Sequence, residues 1–150
     1  MPTTDQLLAK ARERGQQNGF PYDGALLPSE AFELTRLQSG AVIVDVRTKA
    51  EWTYVGRIPG SAEIEWQSYP GGTPNPEFLA QLESALPKHT PLLFICRSGA
   101  RSHAAAAAAK QAGFVQCYNV LEGFEGDKDS QGHRNTLGGW RACGLPWHQS

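Results

Sequence analysis

No run in this 150-residue chain is apolar for long enough to cross a bilayer. The opening stretch, MPTTDQLLAKARERGQQNGF, holds no apolar core of the kind a secretory signal carries. These absences make the cytoplasm the expected location and predict no membrane partner. Net charge is also lacking. With 14 Lys and Arg against 15 Asp and Glu, the formal charge of -1 gives no overall pull on nucleic acid or anionic lipid. An anionic ligand would have to be drawn by a local site. Cysteine is scarce: Cys96, Cys117 and Cys143 are an odd number without metal-site spacing. In a reducing compartment all three stay thiols. That argues against a disulfide scaffold and directs attention to a reactive thiol. What is present suits one globular domain, with 40% hydrophobic and 19% charged residues.

Periodicity gives an order of elements. Thr3 or Thr4 caps a first helix whose apolar side is Leu7, Leu8 and Ala11. Glycine, Asn18 and Pro21 break the pattern over 15–24, so residues 1–27 are set apart as an N-terminal helical extension and 28–150 as the main domain. Ser29 is the expected N-cap of a helix carrying Phe32, Leu34 and Leu37 and stopping at Gly40. The run AVIVDV at 41–46 reads as a strand buried on both faces. A brief helix over 49–55, a turn at Ile58-Pro59-Gly60 and a short strand over 62–64 follow. Three prolines and two glycines make 68–76 a loop, with Asn75 capping a helix through Phe78, Leu79, Leu82 and Leu86. PLLFIC is a second buried strand ending at Cys96. The six alanines of 104–109 favour a helix, stopped by Gly113, and VQCYNV is another strand. Strands alternating with helices predict an α/β domain with a central, mainly parallel sheet flanked by helices.

The informative segment is FICRSGARSHAAAAAAK. It places Cys96 at the carboxyl end of a parallel strand, where open α/β sheets bind ligands. It also places the sulfur at a helix N-terminus, where free amides and the helix dipole favour negative charge. Gly99 lets the backbone curl, so the amides from Arg97 through Ser98, Gly99, Ala100, Arg101 and Ser102 can converge on one point. Arg97 and Arg101 add two permanent positive charges. All of this favours a thiolate, and the thiolate is the nucleophile. A cysteine that merely closes a buried strand has no need of two flanking arginines and a glycine.

CRSGARS resembles the active-site loop of the rhodanese family of sulfurtransferases. Other pieces occur in matching order. Asp45-Val46-Arg47 followed by Glu51-Trp52 resembles the family's D-x-R…E-[FW] signature. Gly56-Arg57-Ile58-Pro59-Gly60-Ser61 resembles its G-H-I-x-G-A turn, with Arg57 where histidine is common. Leu121-Glu122-Gly123-Phe124 resembles its L-x-G-G stretch, with Phe124 for the second glycine. Gly139-Trp140 and Gly144-Leu145-Pro146 resemble its closing G-W…G-x-P pattern. The likeness covers residues 28–148 and implies a rhodanese-like domain. It further implies that Cys96 takes a sulfur from a small anionic donor such as thiosulfate, carries it as a persulfide and passes it to cyanide, a thiol or a protein acceptor. The loop residues 97–102 would bind the donor, without cofactor or metal.

Two other classes compete. Cysteine-dependent phosphatases and arsenate reductases also end a cysteine loop in arginine, but the phosphatase signature is C-x5-R. Only four residues separate Cys96 from Arg101, a tighter cradle that suits one sulfur. A non-catalytic persulfide carrier is the third class. Asp45 and Arg47 are expected to form an internal polar network that steadies the loops. His103 is expected at the surface or in packing, Cys117 in the core, Cys143 buried and inert, and the four tryptophans packed. Asp127 and Asp129 alternate as in a calcium loop, but the closing glutamate is missing, so 123–139 is expected as a solvated loop near the mouth of the site.

Overall fold

The computed structural model describes residues 3–38 and 40–149. It runs α1 (Thr4–Asn18), β1 (Gly24–Leu26), α2 (Pro28–Leu37), β2 (Val42–Asp45), α3 (Lys49–Tyr54), β3 (Ala62–Glu63), α4 (Phe78–Ala85), β4 (Leu92–Ile95), α5 (Ala100–Gln111) and β5 (Cys117–Val120). The five strands form one parallel sheet in the order β1-β5-β4-β2-β3. This is the α/β class that the alternation of elements implies.

The middle strands alternate between two cores. Leu93 and Ile95 of β4 pack with Leu7, Leu8 and Ala11 of α1 and with Ala31 and Leu34 of α2. Leu92 and Phe94 point the other way, onto Phe78 and Leu82 of α4 and Ala105, Ala106 and Ala109 of α5. Cys96 belongs to this second side. The alanines of α5 let its axis approach the sheet closely, and the helix delivers its N-terminus to the end of β4.

Residues 4–26 pack onto this sheet through α1 and β1. β1 pairs with β5, Gly24 opposite Tyr118. A Cβ at Gly24 would collide with the Ala11 carbonyl, so α1 rests directly on β1. A three-residue strand has no periodicity of its own to read, and the free edge of β5 supplies its partner. The N-cap of α2 also differs. The helix starts at Pro28, which suits the first helical position. Leu27 takes the N-cap place, its N–H donating to Glu30 Oε1 at 2.8 Å. Asn75 stands just ahead of α4, whose N-cap is Glu77; its Oδ1 accepts the Glu77 N–H at 3.0 Å.

Candidate active site

β4 ends at Ile95, and the chain turns through 96–99 into α5. Gly99, at φ 124°, is the N-cap of α5. That conformation is open to glycine and strained for other residues. It turns the Gly99 N–H onto Cys96 Sγ at 3.1 Å. Ser102, one turn into the helix, places its Oγ 3.3 Å from the same sulfur. Cys96 is itself only 1% exposed. Ser98 makes no side-chain hydrogen bond among the described residues, and Ala100 opens α5.

The two arginines have different surroundings. Arg101 is bound by Glu51 of α3 through two hydrogen bonds, of 2.7 and 3.0 Å. Burial works against the Arg101 charge, but Glu51 outweighs it, and the Cys96 and Asp45 charges add, so its pKa is raised. Burial likewise pushes the Glu51 carboxyl up, but the Arg101 bonds and charge and the Thr48 bonds prevail and hold it below its usual value. Glu51 also closes a capping box with Thr48 at the start of α3. Arg97 is exposed, and its side chain has no ion pair or hydrogen bond among the described residues. Both arginines line a pocket of ≈ 240 Å³ with Thr48, Glu51, Gln67, Ser68, Tyr69 and Gly72. The wall facing the cysteine loop is thus the 67–72 turn, where the sequence pointed instead to 123–139.

The 123–139 segment lies against the loop's backbone. Phe124 N–H donates to Cys96 O at 2.8 Å; Glu125 and Gly126 donate to Arg97 O at 3.0 and 3.2 Å. Gly123 fits beneath because it lacks a side chain: a Cβ there would lie 2.6 Å from the carbonyls of Cys96 and Arg97. Asp129 ties its own loop, accepting from the His133 N–H and from Thr136. Arg47 is fully buried, bonded to Asp45 and to Gly56 O, with its guanidinium 4.0 Å from the Phe124 ring centroid. Neither Asp45 nor Arg47 lines the pocket. The chain end folds onto the same cluster: Arg57 and His148 exchange backbone hydrogen bonds, and Trp147 packs on Gly56.

His103 is bonded through Nδ1 to the Tyr22 hydroxyl at 2.7 Å. Cys117 is buried, whereas Cys143, expected to be buried, is exposed. Of the tryptophans, Trp52 and Trp140 are buried, Trp66 packs on Phe78, and Trp147 lies partly exposed against Arg141. An apolar groove of ≈ 340 Å³ between Phe32, Ile43, Ile58 and Trp140 has no charged lining residue. Glu51 and Asn119 are parts of the site that sequence reasoning missed. Glu51 was visible only as half of a signature, and Asn119 only as a polar residue in a buried strand.

The family model of the rhodanese-like domain matches residues 31–130. The chain belongs to the rhodanese-like family. That is a family of sulfurtransferase type, and the match brackets both Cys96 and its loop. The chain is 33% identical over 125 residues to the uncharacterised protein RP600 homolog of Rickettsia rickettsii, spanning 79% of this chain and 92% of that one. The crystal structure of Rv0390 from M. tuberculosis is similar at 44% identity and a TM-score of 0.80, over 86% of this chain and 99% of that one. The polysulfide-sulfur transferase homodimer of Wolinella succinogenes superposes with a TM-score of 0.60, over 100% of this chain and 95% of that one. At 19% identity that likeness shows the fold alone. Among the described residues, no helix of this rhodanese-like chain is long and apolar enough to cross a membrane.

Proposed function

We propose that this rhodanese-like protein is a sulfurtransferase that carries sulfur as a persulfide on Cys96, with thiosulfate or another small sulfane anion as donor. The observation that carries the reading is the Gly99 N–H held 3.1 Å from the Cys96 sulfur at the head of α5. That donor and the helix terminus favour negative charge on the sulfur before and after transfer. Arg97, at the pocket and without a partner of its own among the described residues, supplies a cation for the donor's sulfonate end.

In the first half-reaction the Cys96 thiolate attacks the outer sulfur of thiosulfate. A new S–S bond forms, the donor's S–S bond breaks, and sulfite leaves with the electron pair. In the second, cyanide or an acceptor thiolate attacks the outer sulfur of the persulfide. The Cys96–S bond breaks, and Cys96 returns as thiolate. A phosphatase would need a protonated carboxyl near the leaving group. The carboxyl at the pocket, Glu51, is instead held ionised by Arg101.

Mass spectrometry after thiosulfate treatment tests the reading. One added sulfur on Cys96 is expected, removable by cyanide with release of thiocyanate. Cys96→Ser should keep the wild-type circular dichroism and lose transfer, because a hydroxyl at neutral pH is not an anion. Appreciable transfer by the Ser variant would remove Cys96 from the mechanism.

A further inference from the structure

β5 carries a polar side chain into an apolar sheet interior. Asn119, 3% exposed, lies between Tyr118 and Val120. A buried amide is costly unless its groups are bonded. Both of its ends are. Oδ1 accepts the Ser102 hydroxyl at 2.6 Å, and Nδ2 donates to Gly99 O at 3.3 Å. Gly99 and Ser102 are the residues whose polar atoms touch the Cys96 sulfur. One amide therefore holds both. Its orientation is not free, because the Gly99 carbonyl accepts only a donor, and this turns Oδ1 towards Ser102.

We propose that Asn119 is a positioning residue for Cys96: it accepts the single proton of the Ser102 hydroxyl and holds the Gly99 carbonyl, and so keeps the Gly99 N–H aimed at the sulfur. The proposal rests on Cys96 being the nucleophile of the transfer described above. Asn119 touches no reacting atom. It acts by fixing the Gly99 N–H, the donor that must face the sulfur in both its thiolate and persulfide forms. The pocket and Arg97 are untouched by it, so donor binding is outside its reach.

Asn119→Leu keeps the volume and removes both bonds, while Ser102 retains Gly99 O as an acceptor at 3.1 Å. The expected result is a fall in kcat of about tenfold, the value of one hydrogen bond to a charged group, with the KM for thiosulfate within about twofold. Iodoacetamide alkylation of Cys96 at pH 7, read by peptide mass spectrometry, should slow in parallel. Asn119→Ala removes the same two bonds without refilling the space; it should lower both rates in the same direction and carries the test if Asn119→Leu folds poorly. Wild-type kcat and alkylation in both single variants would overturn the proposal, as would a raised KM with unchanged kcat. Alkylation separates this proposal from the transfer reading. If the wild type moved no sulfur yet Asn119→Leu still slowed Cys96 alkylation, the transfer reading would fall and the positioning role would stand.

Discussion

Arg97 and Arg101 flank the same glycine and look equivalent in sequence, yet Arg101 is bound to a carboxylate and Arg97 is not. Their replacement should therefore separate two effects. Arg97→Ala should raise the KM for thiosulfate about fivefold, the worth of one exposed charge, with kcat little changed and the difference shrinking in added salt. Glu51→Gln should instead weaken the fold by about 1–3 kcal/mol, because the pair is mostly buried and Arg101 is left without its counter-charge. The pH dependence follows from the sign. The Glu51 carboxyl sits below its usual 4.5 in the fold, so its contribution is full above that pH and is lost as pH falls through the folded value. Urea midpoints between pH 6 and 3 measure this. A Glu51→Gln curve as steep as the wild type's would show that the pair contributes nothing.

At the scale of elements, the site is the junction of β4 and α5, and its shape depends on what lies behind it. Gly123 is held at φ 66° against the carbonyls of Cys96 and Arg97. Gly123→Ala adds both backbone strain and a collision with main chain. A destabilisation of about 2–4 kcal/mol is expected, together with loss of transfer, read by thermal unfolding and the cyanide assay. An alanine variant with wild-type activity would mean that the loop does not lean on this turn. The junction itself was legible from residue order, since apolar strand, cysteine, glycine and alanine helix each have strong local preferences. The 67–72 wall was not legible. Its residues meet the loop across the sheet order β4-β2-β3, and no local pattern records that neighbourhood.

Across the whole molecule, α1 and β1 complete one side of the core. Leu7, Leu8 and Ala11 are nearly or fully buried. Deleting residues 1–18 would expose what they cover, about 4 kcal/mol or more at the usual worth of a buried leucine. That is a large share of a domain's stability. The truncated chain should aggregate or unfold at low urea; a soluble product with the parent midpoint would make α1 a true appendage. The second core sets an upper pH limit. Burial, and then the Asp23 charge, push the Cys117 thiol up to about 12. Its contribution is full below the unfolded value near 9 and is lost as pH climbs towards the folded one. Urea midpoints should therefore fall from pH 9 to 11, and Cys117→Ala should flatten part of that fall. The same burial should keep Cys117 unalkylated in the native protein at pH 8.

The sequence by itself determined the elements whose evidence is local: the two buried strands that end at Asp45 and Ile95, the alanine helix, and the cysteine–glycine–arginine turn between strand and helix. Each depends on the preferences of adjacent residues, and these act over a few positions. It also carried the signature pieces, without saying why they belong together. Only the tertiary structure decided that. Arg47, Gly56, Phe124 and Trp147 come from distant parts of the chain and meet behind the loop. Arg101 finds Glu51 fifty residues away. Asn119 reaches Gly99 and Ser102 because β5 lies beside β4 in the sheet. The physical reason is the same in each case. A buried ion pair or amide is satisfied by whichever group the sheet order brings within about 3 Å, and sheet order is set by packing of the whole chain rather than by neighbours in sequence.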